Sequence, residues 1–193
     1  MRYDPARPAG RLLLTPEDKE APERTRRLGQ LRLGGRPDPE LDIYADRLAE
    51  ITRAPYAMVN FIDQDRQFFA GLHLPAVAPP VVKPDGSTPV LGRELARDHG
   101  FCPHVVVRRK ALVLEDVCDY PRFAGNPIVD EFGIRSYLGA PLVDSTGTVL
   151  GTVCAVDVEP RPWGRPGLET IKASAAELVA RLERREADGF PLL

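Results

Sequence analysis

Cys102 and His104 lie two residues apart in Gly100-Phe101-Cys102-Pro103-His104, and His99 stands just before them. Pro103 suits a first helical position, where its missing N–H costs nothing, so a helix is predicted from about Pro103 to Arg109. A thiol at a helix start feels unpaired N–H groups and the positive end of the dipole, which lower its pKa and make it a better nucleophile. Packing competes with that chemistry. Free cysteine usually behaves as a small hydrophobe, which would place Cys102 beneath the helix and His104 at its surface, and this reading carries the greater weight. The triplet His99, Cys102 and His104 has the residue types of a metal site but no second ligand group close in sequence, so no metal is assigned.

A second group, Asp119, Arg122, Phe123 and Asn126, falls in one irregular segment. Both charge signs and an amide can orient a polar ligand there, while Phe123, Ile128 and Tyr137 supply apolar walls. The competing structural role is local: Arg122 pairs with Asp119, and Asn126 caps the turn that begins at Pro127. Asp63, Asp65 and Arg66 are read as turn residues only. The three cysteines, Cys102, Cys118 and Cys154, are an odd set without a CxxC pair, which argues against a disulfide framework and fits a reducing compartment. Cys154 falls within a predicted strand, where core packing is the simpler role. No phosphate-binding glycine loop, zinc-protease helix or nucleophile elbow occurs.

The elements that must position these groups follow from periodicity and punctuation. Residues 1–37 carry several Pro, Gly and Arg and read as a partly flexible extension with a short helix from Pro16 to Leu31, whose weak apolar face predicts partial packing. The first strongly periodic helix begins at Asp38-Pro39 and runs to about Ala54, with Leu41, Tyr44, Ala45, Leu48 and Ile51 at helical spacing. Ala57 to Asp63 and Arg66 to Leu74 form a hairpin. Pro75 to Gly92 has neither period and reads as a long loop. Ala111 to Glu115 is a strand and Pro127 to Phe132 a helical turn. Ile134 to Val143 and Thr148 to Val158 pair around Asp144-Ser145-Thr146-Gly147. A final helix spans about Gly167 to Arg185. Both hairpins are antiparallel and their connections are too short for parallel crossovers, so an α+β fold with an antiparallel sheet follows. Val59, Phe61, Leu138 and Val153 are its core candidates, although alternation leaves open which sheet face each occupies.

The chain has 193 residues, enough for one domain with extensions, and 26 Lys plus Arg stand against 28 Asp plus Glu. A formal charge of −2 provides no broad positive field, so nucleic acid is not an expected partner. No apolar run approaches the roughly 20 residues that span a bilayer and no signal-peptide pattern opens the chain, so a soluble, cytoplasmic protein is expected.

The segments Arg122-Phe123-Ala124-Gly125-Asn126-Pro127-Ile128-Val129, Ile134 to Leu142 and Leu150 to Asp157 resemble the GAF family of small sensory domains. So do Ala54 to Gln67, the Phe101-Cys102-Pro103-His104 element, which is similar to that of a bacterial subgroup, and Asp119 to Phe123. The resemblance covers about residues 24–185. It implies a GAF-like sheet of five to six strands flanked by helices on both faces, in a domain over 38–187 with 188–193 as a tail. It also implies a sensory or regulatory role, through an unknown small molecule or a signalling protein, with no enzymatic activity of its own. The ligand-binding residues it implies are Phe101, Cys102, His104, Asp119, Arg122, Phe123, Asn126 and Tyr137; the cofactor is unknown. With few residues after Arg185, signalling is expected to run through the domain's own surface. A homodimer through the first and last helices is expected, with Leu178 and Leu182 near its axis and Leu48 beside them. The motif similar to Asn-Lys-Phe-Asp-Glu of cyclic-nucleotide-binding members is absent. Two alternatives come from the same family: thiol redox chemistry like that of free methionine sulfoxide reductases, centred on Cys102, and a haem-binding sensor with His99 as its ligand.

Overall fold

The computed structural model describes residues 15–76 and 91–189. The first part of the N-terminal extension, most of the expected loop from Pro75 to Gly92 and the last four residues lie outside them. In chain order the helices are α1 (Ala21–Leu31), α2 (Pro39–Thr52), α3 (Cys102–Arg108), α4 (Pro121–Ala124), α5 (Pro127–Phe132) and α6 (Gly164–Ala187). The strands are β1 (Tyr56–Ile62), β2 (Arg66–His73), β3 (Glu94–Ala96), β4 (Leu112–Leu114), β5 (Ser136–Val143) and β6 (Val149–Asp157).

Local chemistry sets the boundaries. Asp38 caps α2 by accepting from the Glu40 N–H at 2.9 Å, and Pro39 takes the first position. The β1–β2 turn is tied by Asp63, whose carboxylate accepts from the N–H groups of Asp65 and Arg66 at 2.8 and 2.7 Å. Asp144 does the same for the β5–β6 turn, accepting from Thr146 and Thr148, with Gly147 at φ +82°. The sheet has six strands in the order β3-β2-β1-β6-β5-β4, every neighbouring pair antiparallel. At its centre β1 and β6 approach so closely that a Cβ on Gly151 would lie 1.9 Å from the carbonyl oxygen of Asn60.

Both faces of the sheet are covered, and the alternation of side chains sorts each strand between two cores. Ala57, Val59, Phe61, Leu138, Ala140, Val153 and Ala155 join α2 and α6 in the first core. Met58, Tyr137, Cys154 and Val156 join α3, α4 and α5 in the second. All four predicted core residues, Val59, Phe61, Leu138 and Val153, share the first face. That face also corrects the expected dimer seam. Leu48, Leu178 and Leu182 are only 2, 1 and 5 % exposed within a single chain. The apolar stripe of α6 is consumed in covering the sheet.

The apolar pattern understates how firmly α1 is attached, because charge holds it. Leu28 enters the first core, but Arg24 is wholly buried, donating from Nε to the Ile62 carbonyl at 2.7 Å and pairing with Asp18, which also meets Arg97. Arg27 reaches Asp144 at 2.7 Å and Glu186 at 2.8 Å, tying α1 to the β5–β6 turn and to α6. Replacing Arg24 by Met keeps bulk but takes from the Ile62 carbonyl its side-chain donor and leaves the buried Asp18 carboxylate with Arg97 alone. A loss of about 3 kcal/mol is expected in urea unfolding, against a near-silent Arg26→Met, since Arg26 is exposed.

Candidate functional site

The second core brings six of the eight predicted ligand residues together. Phe101, Cys102, His104, Phe123, Asn126 and Tyr137 are all buried beneath or within α3, α4 and α5. Phe101 meets Phe123 and Tyr137 edge-on at 5.8 and 5.2 Å, and His104 meets Phe123 at 5.0 Å. Asp119 and Arg122 are exposed, and the ion pair considered between them is not among those formed by the described residues. Arg122 instead lies over the Phe123 ring at 6.0 Å.

Asn126 is committed to structure. Its side-chain oxygen accepts from the N–H groups of Gly100 (2.9 Å) and Ile128 (3.2 Å), and its amide donates to the Gly100 carbonyl at 2.9 Å. It caps α5 and pins the start of the α3 segment, the local role weighed against ligand binding. His104 lies inside, not at the helix surface. Its Nδ1 is buried without a partner, and burial, with Arg122 and Arg108 adding to it, pushes its pKa down to about 4. His99 is part-exposed and sits against Asp98 and Glu131 at 3.2 and 3.9 Å. His99, Cys102 and His104 therefore do not converge as ligands, and no three His, Cys, Asp or Glu side chains gather as a metal set among the described residues.

What does converge is sulfur. Cys102, the first residue of α3, faces Cys154 of β6 with the two Sγ atoms 3.8 Å apart, and Met58 of β1 places Sδ 3.8 Å from Cys154 Sγ. Met58 and Cys154 are direct partners across β1–β6, and Cys154 and Gly139 are partners across β6–β5. Gly139 matters for space. A Cβ there would lie 2.2 Å from the Tyr137 hydroxyl oxygen, which occupies that room and reaches 3.4 Å from Cys102 Sγ.

The polar surroundings form a thread through the core. Gln67 donates to the carbonyls of Ala96 and His99 at 2.8 and 2.6 Å and accepts from the Asn60 amide at 2.9 Å. Asn60 Oδ1 and Thr152 Oγ1 are buried with no hydrogen bond of good geometry. The two thiols titrate as a pair. Hydrogen bonding with Cys154, opposed by burial and aided by Thr152, Tyr137 and Asn60, brings Cys102 down to about 6, while the same contact and burial push Cys154 well up. Neighbouring side chains, Cys154 first, thus act on Cys102 beside its place at the start of α3. Cys118 stands apart chemically: it lies in a short 3-10 turn beside Asp116 and Arg135, and burial pushes its thiol up.

Of these groups, sequence reasoning had Cys102 and Tyr137 and read Cys154 as packing. It missed Met58, Asn60, Gln67 and Thr152, which become neighbours only through the register of three strands.

A two-faced antiparallel sheet with paired helices on one side and short, irregular helices on the other is the architecture of small sensory domains. The GAF domain model matches residues 36–182, and the chain belongs to that family. A cyclic di-GMP phosphodiesterase of Pseudomonas aeruginosa is 28 % identical over 157 residues, covering 77 % of this chain and 24 % of that protein. The chain thus spans about a quarter of that relative. The GAF domain of an Acinetobacter phosphoenolpyruvate-protein phosphotransferase superposes with a TM-score of 0.56 at 18 % identity, covering 90 % of this chain and 99 % of that one. A free methionine-R-sulfoxide reductase of Neisseria meningitidis, solved with its substrate, gives 0.58 at 17 %, covering 89 % and 95 %. At these identities the two structures establish a shared fold.

His104 supplies a pH test of this site. Its folded pKa lies below the ordinary 6.5, so as pH falls the unfolded chain takes up the proton first, and stability declines from pH 6.5 to about 4. In His104→Phe, which keeps an aromatic edge against Phe123, chemical unfolding across that window should show a shallower decline, with the two proteins converging in slope above pH 7.

Proposed function

We propose that this GAF domain is a sensory and regulatory module, receiving its signal on the sheet face under α3, α4 and α5 and passing it on through the outer face of α2. The observation that supports the output surface is a pair of isoleucines. Ile43 and Ile51 are 66 and 52 % exposed, two helical turns apart on α2 with exposed Arg47 between them, while the inner residues Leu41, Tyr44, Ala45 and Leu48 are buried. Large aliphatic side chains on one face of a helix, beside a helix whose own stripe is spent on the core, favour association there. The homodimer expected from the first and last helices is kept, with its contact moved from Leu178 and Leu182 to Ile43 and Ile51. The phosphodiesterase activity of the Pseudomonas relative belongs to a protein about four times the length of the matched stretch. We assign this chain a regulatory part beside such an output, with its small-molecule ligand unknown.

A second reading is favoured by the 3.8 Å approach of Cys102 and Cys154. Two thiols at that distance can pass between dithiol and disulfide with little movement, the chemistry of a thiol sensor or of a reductase acting on free methionine sulfoxide. Turnover of methionine sulfoxide with a dithiol reductant that disappears in Cys102→Ser would establish this reading in place of the first. Among the described residues His99, the ligand of the haem alternative, stands beside two carboxylates, Asp98 and Glu131.

Sedimentation tests the surface. The wild-type protein should dimerise in the micromolar range, and Ile43→Asp with Ile51→Asp should be monomeric with unchanged thermal unfolding of the single chain. A wild-type protein that stays monomeric at high concentration overturns the α2 output.

A further inference from the structure

We propose that Cys102, Cys154 and Met58 form a three-sulfur site for monovalent copper, buried between α3 and the centre of the sheet. The distances select the coordination. An ion held about 2.3 Å from each of two sulfurs 3.8 Å apart subtends an S–metal–S angle of about 110°. That is far from the straight line of two-coordinate binding and close to what a third ligand requires. Met58, directly opposite Cys154 across β1–β6 with its Sδ the same 3.8 Å from Cys154 Sγ, is the residue we assign as that ligand, its unbranched side chain turning toward the ion.

The donor types select the metal. Two thiolates and a thioether form a soft set, which suits Cu(I), whereas Zn(II) asks for a fourth ligand and tetrahedral closure. No third His, Cys, Asp or Glu is at hand among the described residues to provide one. Both cysteines bind as thiolates, so Cu(I) with two of them leaves one net negative charge in the core. Tyr137 is placed to meet it: its hydroxyl stands 3.4 Å from Cys102 Sγ, within reach to donate to the thiolate. The Thr152 hydroxyl, buried and otherwise without a partner, is a further polar group beside the pair. Gly139 makes the arrangement possible by leaving room for the Tyr137 hydroxyl. This site is independent of the α2 surface, so either can fail while the other stands.

The test uses the full chain, reduced with a phosphine and kept anaerobic, so that all three cysteines are free thiols before titration. Cu(I) is added in competition with a chromophoric bicinchoninate chelator, and the loaded protein is read by X-ray absorption. One equivalent should be held against the chelator, with three sulfur neighbours at about 2.3 Å. Cys102→Ser and Cys154→Ser should each lose it, while Cys118→Ser should bind as wild type. Met58→Leu, close in volume and apolar, should fold normally, fall in affinity by about tenfold or more and drop to two sulfurs. The proposal is overturned if wild-type protein yields all its copper to the chelator. It is equally overturned if Cys118→Ser abolishes retention, or if Met58→Leu keeps three sulfur neighbours. The wild-type coordination number decides the matter even where a cysteine variant does not fold.

Discussion

The pairing of β1 with β6 is the constraint on which the rest of the molecule depends. These are the first and last long strands of the sheet, and each is buried on both faces, so every backbone group must be met by a neighbouring strand: β6 and β2 for β1, β1 and β5 for β6. Their approach leaves no room for a side chain at Gly151 against the Asn60 carbonyl. Once the register is fixed, the two faces are fixed with it: odd-numbered Ala57, Val59 and Phe61 face α2 and α6, and Met58 faces α3. A shift by one residue would exchange the two sets and place an amide, Asn60, among the aliphatic residues of the first core.

The two faces are built differently, and the difference bears on function. The first is closed by two long helices whose inner stripes are aliphatic, with α1 fastened beside them by Arg24 and Arg27. The second is closed by three short helices of seven, four and six residues, and it holds nearly all the buried groups with chemistry: two thiols, a thioether, a phenol, an imidazole and the Asn60–Gln67 pair. Short helices carry few internal hydrogen bonds, so this is the side at which local opening costs least. A sensory role and a site for soft ligands both belong on such a face.

Much of this frame was legible from sequence. Asp38-Pro39, the Asp63 and Asp144 turns and the helical spacing of α2 and α6 are local signals, and the structure places these elements within a few residues of expectation. Legibility stopped where partners are distant. The three-residue strand β3 exists only because β2 offers an edge, and α4 is a single turn at Pro121, too short to show a period. Nothing local marks Arg24, because its acceptor, the Ile62 carbonyl, lies 38 residues on. In the site, Phe101, Cys102, Phe123 and Tyr137 were found because they lie in recognisable segments. Met58, Asn60 and Thr152 were not, since nothing about a Met or a Thr in an apolar strand marks it until Cys154 and Gly139 are seen on either side.

Gly139 and Tyr137 amount to one unit split across two positions of β5. The phenol folds back over its own strand into the space where the next outward side chain would stand, so the strand carries a hydroxyl at the sulfur pair only while that neighbour has none. The exchange is indivisible: no intermediate residue retains half of the arrangement. Across GAF domains, therefore, a side chain larger than hydrogen at this place should travel with loss of the tyrosine two residues earlier, and the two changes should be inherited together rather than one at a time.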